Sequence, residues 1–559
     1  MNPAAPRSRA TDHQPETRGQ DFFALDRSLR TLLGLYLSAP LRAHLEPHYR
    51  RLGRMVPDRL EDLAASADRN GPELRPRDRA GRDIWSVEFH PAYRDLERIA
   101  FVDFELGAMS HRPALGWNSP LPPVAKYAFT YLFSQSEFGL CCPINMTDST
   151  ARMLKLFASD EIKARYLPRL LADSIETMQH GTMWITERFG GSDVGELRTV
   201  ARFERGEWRL YGDKWFSSVA NADMALVLAR PEGAGAGTKG LGLFLVPRRL
   251  PDGSHNAYRA VRLKDKLGTR SMASAEMVFE GAVGYVIGDL ARGFVQMAEM
   301  INQSRISNGI RAAALMRRSL FEALAVAEGR VAFGSRLKDL PLMRRQLLKL
   351  LLPAEQALSV GLFTADLLEK ADAGDGRAAG ALRLATPVLK FRACRDARKS
   401  AGDGMETRGG SGYVEEWPHA RILRDSHLGS IWEGTSNIVA LDILRAIRRE
   451  QADAPLRALL EEKLATAPAD LRPALAERLN GAFALAGRAV AGEERLARQA
   501  GTALYHAMSA VLFAWEAKAD PARLWLARLV LAHKLAPRDP LAPDDPGLED
   551  AAMAALLPN

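Results

Sequence analysis

The sequence predicts an α+β fold made of a helical first third, a compact β segment, a helical bundle and an extra helical region at the end. Three observations carry this. Apolar residues recur at helical spacing from Phe22 through Leu35, then in Tyr93–Leu106 and Val124–Glu137. Near Thr182 the period changes to alternation, and Arg205-Gly206 sits between two alternating runs as a hairpin signal. From Phe294 the helical period returns in long runs with short connections, the pattern of a bundle. At 559 residues the chain is too long for one core. The changes of period divide it into a tail (1–20), an N-terminal α domain (21–181), a middle β domain (182–290), a bundle (291–450) and an extra helical region (451–559).

Residues 1–20 lack an apolar h-region and mix Asp and Glu with Arg, so they read as a disordered tail rather than a secretory signal or transit peptide. Helical spacing follows from Asp21 to about Leu63. Residues 64–90 are polar and rich in Arg, Asp and Gly, and read as loop. His90-Pro91 reopens the helical pattern. Phe138–Asp148 reads as a break, ahead of a helix at Ser149–Phe157 and another opening at Asp160 with Glu161 in its first turn. In the β segment, Met183–Thr186 is a strand entering the loop Glu187–Val194. Thr199–Glu204 and Glu207–Tyr211 pair as a hairpin, and Ala225–Ala229, Leu241–Val246, Val261–Leu263 and Ala275–Phe279 are further short strands. The glycine-rich PEGAGAGTKG lies between two strands, not between a strand and a helix, and so reads as a hairpin loop rather than a phosphate loop. Bundle helices are predicted at Phe294–Glu328, Leu340–Ala371, Ala378–Met405 and Asn437–Arg449, with Pro353 and Pro387 marking kinks or segment starts.

Composition narrows the function classes. Three cysteines, Cys141, Cys142 and Cys394, give neither a disulfide framework nor a metal cage, and fit a reducing, cytoplasmic setting. The eleven histidines show no ligand spacing, so no metal site is expected. No run of about 18 uncharged apolar residues suggests a membrane span. The net charge of +8 raises nucleic acid as a partner, but residues 451–559 hold 12 Lys+Arg against 14 Asp+Glu, and the surplus is spread over the main body.

The chemistry concentrates at Ile431-Trp432-Glu433-Gly434-Thr435-Ser436-Asn437. Glu433 stands on a glycine-permitted turn before the apolar run Ile438–Ala446, with Thr435 or Ser436 placed to cap the helix that follows. Ile431 and Trp432 should strip water from the carboxylate and make it a better base near neutral pH. The plainer reading is a glutamate favoured by the helix dipole.

Other segments extend this pattern. They are Thr186-Glu187 with Gly190-Gly191-Ser192-Asp193-Val194, Lys214-Trp215-Phe216-Ser217-Ser218, Arg330-Val331-Ala332-Phe333-Gly334, Gly409-Gly410-Ser411-Gly412-Tyr413, and Arg424-Asp425. In this order and spacing, after an α domain and a β domain, the set resembles the acyl-CoA dehydrogenase family of flavoproteins. Leu140-Cys141-Cys142-Pro143-Ile144, Arg248–Gly253, Arg262–Gly268, Trp432 in place of the commoner tyrosine, and the extra helical region resemble its AidB-like branch, linked to the adaptive response to alkylation.

The resemblance implies FAD as cofactor and an acyl-CoA as substrate. It implies oxidation between the α and β carbons, with Glu433 taking the α-proton while hydride passes to flavin N5. It also implies an electron-transfer acceptor and a homotetramer. Thr186, Gly190, Gly191 and Ser192 would form the flavin loop, their main-chain N–H groups meeting the ring edge and pyrophosphate. Trp215 would stack near the flavin and Ser217 would bond its N5 side. Arg330 would reach the pyrophosphate of a neighbouring subunit's flavin, Gly409 and Gly410 would let backbone approach the adenine end, and Asn437 would cap the cofactor segment or the helix. Met183, Phe216, Ser218, Phe333, Trp432, Gly434 and Thr435 complete the implied cofactor-binding set. Trp184 and Phe189 are bulky for the family and are expected to narrow the acyl channel. For the AidB-like branch a flavoprotein that binds or protects DNA is the alternative. The net −2 of residues 451–559 counts against it.

Overall fold

Residues 13–537, 539–543 and 545–557 are described by the computed structural model. Of the expected tail, residues 1–12 lie outside the described residues. Residues 13–20 are not loose: Thr17 is buried with its hydroxyl donating to Glu322 at 2.7 Å, and Arg408 Nη1 donates to the Pro15 carbonyl at 2.8 Å.

The first helices are α1 (Phe22–Leu25), α2 (Arg27–Tyr36), α3 (Ala39–Met55) and α4 (Glu61–Arg69). Asp21 and Asp26 cap α1 and α2 through their carboxylates. The loop expected over 64–90 is instead the end of α4 and a hairpin, β1 (Glu73–Arg77) with β2 (Asp83–Glu88). Its charges pair across the strands, Arg75 with Glu88 and Arg77 with Asp83, while Trp85 and Val87 bury their alternate face. Helices α5 (Pro91–Arg98), α6 (Pro123–Phe133), α7 (Cys141–Phe157) and α8 (Asp160–Leu170) follow. The break expected at 138–148 is therefore mostly helix. Pro143 falls in the first turn of α7, where its missing N–H costs nothing.

The middle segment contains β3 (Gly181–Trp184), β4 (Val200–Glu204), β5 (Glu207–Ser218), β6 (Met224–Pro231), β7 (Gly242–Pro247), β8 (Tyr258–Leu263) and β9 (Ser274–Val286). β6 pairs with β7, β7 with β9, β9 with β5, β5 with β4, and β4 with β6, so five strands close a ring. β3 and β8 attach to β6 and β9 from outside it. The β4–β5 turn puts Arg205 at φ +54° and Gly206 at φ +84°, the hand that suits a two-residue hairpin.

The bundle is α9 (Gly293–Gly329), α10 (Pro341–Asp372), α11 (Gly376–Arg408), α12 (Pro418–Leu428) and α13 (Ser436–Glu450). A small hairpin, β10 (Val331–Ala332) with β11 (Ser335–Arg336), follows α9. Pro353 and Pro387 lie inside α10 and α11, which run on past them, so neither starts a segment. α10 is long and apolar enough to cross a membrane, yet 94% of that stretch is buried within the fold, which makes it a core helix. Helices α14 (Asp453–Ala465), α15 (Arg472–Val490), α16 (Ala497–Glu516), α17 (Arg523–Val530) and α18 (Pro546–Leu556) complete the chain. One apolar core joins the first helices, the bundle and these last helices, while a second lies between the strands and α7–α9.

Candidate active site

Between α12 and α13 the backbone turns sharply. Glu433 has φ +49° and Gly434 φ +101°, both in the left-handed region. For glutamate that conformation is strained by about 1 kcal/mol and persists only where surrounding groups enforce it. Those groups lie on α9. Ser304 Oγ donates to Glu433 Oε1 at 2.7 Å and Asn308 Nδ2 donates to Oε2 at 2.6 Å. Their separation of four residues puts them one turn apart on one helical face. Arg305, between them, donates from Nε to the Glu433 carbonyl at 3.1 Å and is anchored by Asp442 at 2.6 Å. Lys390 on α11 donates to the Gly434 carbonyl. The half-buried Glu433 carboxylate is thus held at both oxygens and its peptide at two points.

The surroundings differ from the apolar sheath expected of Ile431 and Trp432. Ile431 is 57% exposed and turns away. Trp432 is half-buried and stacks on Phe138 with centroids 6.1 Å apart. The Arg311 guanidinium lies 4.9 Å from the Trp432 ring and 5.2 Å from Phe138, and its Nη2 donates to Asn308 Oδ1 at 2.9 Å. Glu433, Asn308, Arg311 and Trp432 therefore form one connected unit. Burial pushes the nearby Cys142 thiol up to about 12, with Arg311 opposing and Glu433 adding to the shift. A thiol so protonated is no nucleophile. Thr435 occupies the N-cap of α13 without a side-chain cap bond, and the Ser436 hydroxyl accepts from Arg395 instead, so neither caps as expected. Asn437 lies exposed in the first helical turn, past the capping position.

The implied flavin segments gather at one end of the β ring. Trp215 N–H donates to the Thr186 carbonyl at 2.8 Å, joining the loop to β5. Gly190 has φ +131°, and a Cβ on Gly191 would lie 2.5 Å from Thr186 Oγ1. Buried Glu187 anchors the same loop, accepting from Thr199 N at 2.9 Å and from Lys214 Nζ at 2.9 Å. Ser192 and Phe216 are exposed, Ser217 is buried, and Ser218 is half-buried with its carbonyl accepting from Thr182 and Trp184. Met183 and Trp432 pack against the same apolar cluster, which brings this end of the ring to the Glu433 turn. Trp184 does not narrow a channel: it is fully buried in the ring's own core against Tyr258 and Phe279. Phe189, 74% exposed with Arg198 over its ring at 4.0 Å, lies at the surface.

Among the described residues, Ser217 Oγ, Trp432 Nε1 and Arg311 Nη1 are buried without a hydrogen-bond partner. Buried polar groups are normally paired. Such orphans between the flavin segments and the Glu433 turn fit a polar, planar cofactor and a ligand carbonyl.

Arg330, Phe333, Gly409 and Gly410 are not brought to this turn. Arg330 follows the last residue of α9, roughly 30 Å of helix beyond Asn308 at the standard rise. There Arg330 Nη1 donates to the Arg408 carbonyl at 3.4 Å, so the two motifs adjoin each other, with Gly409 and Gly410 exposed. Phe333 stands 97% exposed at the hairpin tip.

Ser304, Arg305, Asn308 and Lys390 were invisible to motif reading. The one signal was the polar run Gln303-Ser304-Arg305 with Ser307-Asn308 inside an otherwise apolar helix.

The comparisons agree with this architecture. Residues 12–176 match the adaptive response protein AidB N-terminal domain, residues 182–282 the acyl-CoA dehydrogenase middle domain, and residues 291–448 the acyl-CoA dehydrogenase C-terminal domain. Putative acyl-CoA dehydrogenase AidB of Escherichia coli is 36% identical over 405 residues, 70% of this chain and 71% of that protein. Acyl-CoA dehydrogenase family member 11 of Caenorhabditis elegans is 33% identical over 436 residues, 75% of this chain and 69% of that protein. The crystal structure of Caenorhabditis elegans ACDH-11 in complex with C11-CoA superposes with TM-score 0.86 at 27% identity, covering 96% of this chain and 95% of that one. With an AidB-type N-terminal domain joined to both catalytic-region domains, the chain belongs to the acyl-CoA dehydrogenase family.

Proposed function

We propose that the chain is a FAD-dependent acyl-CoA dehydrogenase that removes hydrogen from the α and β carbons of an acyl thioester, with Glu433 as the base for the α-proton. The observation that carries this is the double clamp on the carboxylate by Ser304 and Asn308. A general base acts by position first, and these donors fix both oxygens on a turn that is itself pinned by Arg305 and Lys390. Trp432, Phe138 and Arg311 wall one side against water. Ser217 Oγ, Trp432 Nε1 and Arg311 Nη1 are the donors that would hold the cofactor and the thioester carbonyl, and hydrogen bonds to that carbonyl make the α-proton more acidic. When bound, FAD supplies the acceptor for the hydride. The relative whose structure contains C11-CoA supports an acyl-CoA as ligand class.

The same reading includes a homotetramer, in which the exposed Phe333 hairpin and the adjoining Arg330 and Gly409 serve a neighbouring subunit's cofactor, and a soluble electron acceptor. It places the protein in the cytoplasm, in keeping with three unbridged, buried cysteines.

Anaerobic addition of an acyl-CoA panel to the flavin-loaded protein tests the reading. Bleaching of the flavin band by one chain-length class, slowed about 10²–10⁴-fold in Glu433→Gln, is the expected result. A yellow protein that no acyl-CoA bleaches would move the weight to the DNA-linked role of the AidB-like branch, and a protein that cannot be loaded with FAD would sink both.

A further inference from the structure

A cleft of about 630 Å³ opens between α8 and the segment that follows β7. It lies at the end of the strands opposite the flavin loop. β3 runs from Gly181, beside Met224, towards Trp184 and then Thr186–Ser192, while the cleft takes Asp223 and Pro247 from the starting end, where Met224 pairs with Pro247. It shares no residue with the Glu433 turn. Four arginines line it: Arg165 and Arg169 from α8, Arg248 and Arg249 from the opposite wall.

Many arginines of the chain are tied to carboxylates, but three of these four are not. Among the described residues, Arg165 reaches Glu161 at 3.2 Å, but Arg169, Arg248 and Arg249 have no carboxylate within ion-pair distance. Two of them are nonetheless held in place. Arg248 lies 4.4 Å over the Trp85 ring and donates to the Asn221 carbonyl at 3.2 Å, and Arg249 donates to the Gly253 carbonyl at 3.0 Å. Backbone carbonyls and a ring face orient a guanidinium without neutralising it. The one acid lining the cleft, Asp223, already accepts from the His180 N–H at 2.8 Å. Like charges gathered in a concave site focus a positive potential, and forked guanidiniums match phosphate oxygens two at a time. Tyr166, buried in the wall, adds an aromatic surface, and the volume lies within the range of small-ligand sites.

We propose that this cleft is a second ligand site that takes a nucleotide-sized molecule carrying two or more phosphates. Diphosphate is the shared chemistry. A free nucleoside diphosphate and the phosphorylated adenosine end of a CoA are its two sources.

Titration calorimetry on the full chain as purified tests this with inorganic pyrophosphate, ADP and free CoA. Pyrophosphate and ADP should bind, weaken as salt rises, and bind about tenfold or more weakly in Arg169→Gln and in Arg248→Gln. Arg248→Lys, which keeps the charge but not the fork, should lose part of that affinity. Glu433→Gln should bind pyrophosphate like the parent, which separates the cleft from the active site. CoA that competes with pyrophosphate assigns the site to the CoA source. ADP that competes where CoA does not assigns it to a free nucleotide. Either result keeps the site. No binding of pyrophosphate or ADP at millimolar concentration overturns the proposal, as does binding that both glutamine variants leave unchanged. Binding of a DNA duplex lost in those variants, without pyrophosphate binding, also overturns it.

Discussion

The clamp on Glu433 sets what single substitutions should do at the site. Asn308 holds one carboxylate oxygen and, through its own carbonyl, the Arg311 that lies over Trp432. Asn308→Ala should therefore cost more than Ser304→Ala, which removes a single bond. A base displaced by as little as 1 Å can lose about 10²-fold in rate, so anaerobic bleaching should slow by roughly 10–10² in Asn308→Ala, with flavin content unchanged. Equal effects of the two variants would show that the Arg311 link carries nothing. Glu433 itself was legible because the turn, the glycine and the following apolar run lie within about ten residues. Its donors were not, because Ser304 and Asn308 are 129 and 125 residues away and share a helix where most positions are buried. Trp184 misled for a related reason. Its position in a motif gives no direction, and only the strand's alternation sends it into the ring's core rather than towards the ligand.

At the scale of elements, long helices declared themselves through their period, while short segments hid. The β1–β2 hairpin packs only Leu74, Trp85 and Val87 against the core and wears a coat of paired charges. The segment between β8 and β9 is another example. It passes from the ring onto α12, where Thr269 N–H donates to Asp425 Oδ1 at 2.6 Å and a Cβ on Gly268 would lie 2.7 Å from the Arg424 backbone. This is the clip between the β ring and the bundle. Burial raises Asp425 to about 7, with Asp68 adding, Arg421 and the Thr269 N–H opposing, and Glu137 adding. The folded value lies above the unfolded one near 3.9, so the native state keeps a proton that the unfolded chain releases between those pH values. The stability this gives is full below about pH 4 and is lost as pH rises through about 7. Asp425→Asn keeps the acceptor for Thr269 but cannot ionise. Its Tm should match the parent near pH 4 and exceed it above pH 7, by roughly 1–3 kcal/mol in stability. A gain independent of pH would show that Asp425 is not the titrating group. The β10–β11 hairpin makes a separate prediction. Phe333 at φ +53° is strained and almost wholly exposed, and in the homotetramer proposed above this tip is the part that meets a neighbouring subunit. Phe333→Asp should lower the assembled mass seen by light scattering, with the far-ultraviolet spectrum unchanged.

For the whole molecule the question is how the last helices attach to the bundle. Arg523, 1% exposed on α17, donates to Glu516 at 2.7 Å, to Ser359 at 2.6 Å and to Glu355 at 3.2 Å. Glu355 also binds Arg317 at 2.5 Å, and Arg317 lies 3.2 Å from Asp26, the cap of α2. One buried chain of charges thus runs from the first helices through the bundle to the last, inside the apolar core that joins the same three parts. Burial pushes both carboxyls up; Arg317 and Arg523 hold Glu355 below its ordinary value, while Glu516 stays above its own. Arg523→Ala would leave Glu516 without its cation and Glu355 with one. Breaking a buried pair in this way costs about 3–5 kcal/mol. The loss should grow with pH, because without Arg523 the folded carboxyls favour the proton more strongly and ionising them costs more as pH rises. Since the core is continuous across the three parts, the variant should melt in a single transition shifted downwards, not in an early step confined to residues 451–557. An early separate step in calorimetry, with flavin still bound, would show that the last helices fold independently of the bundle that carries Glu433.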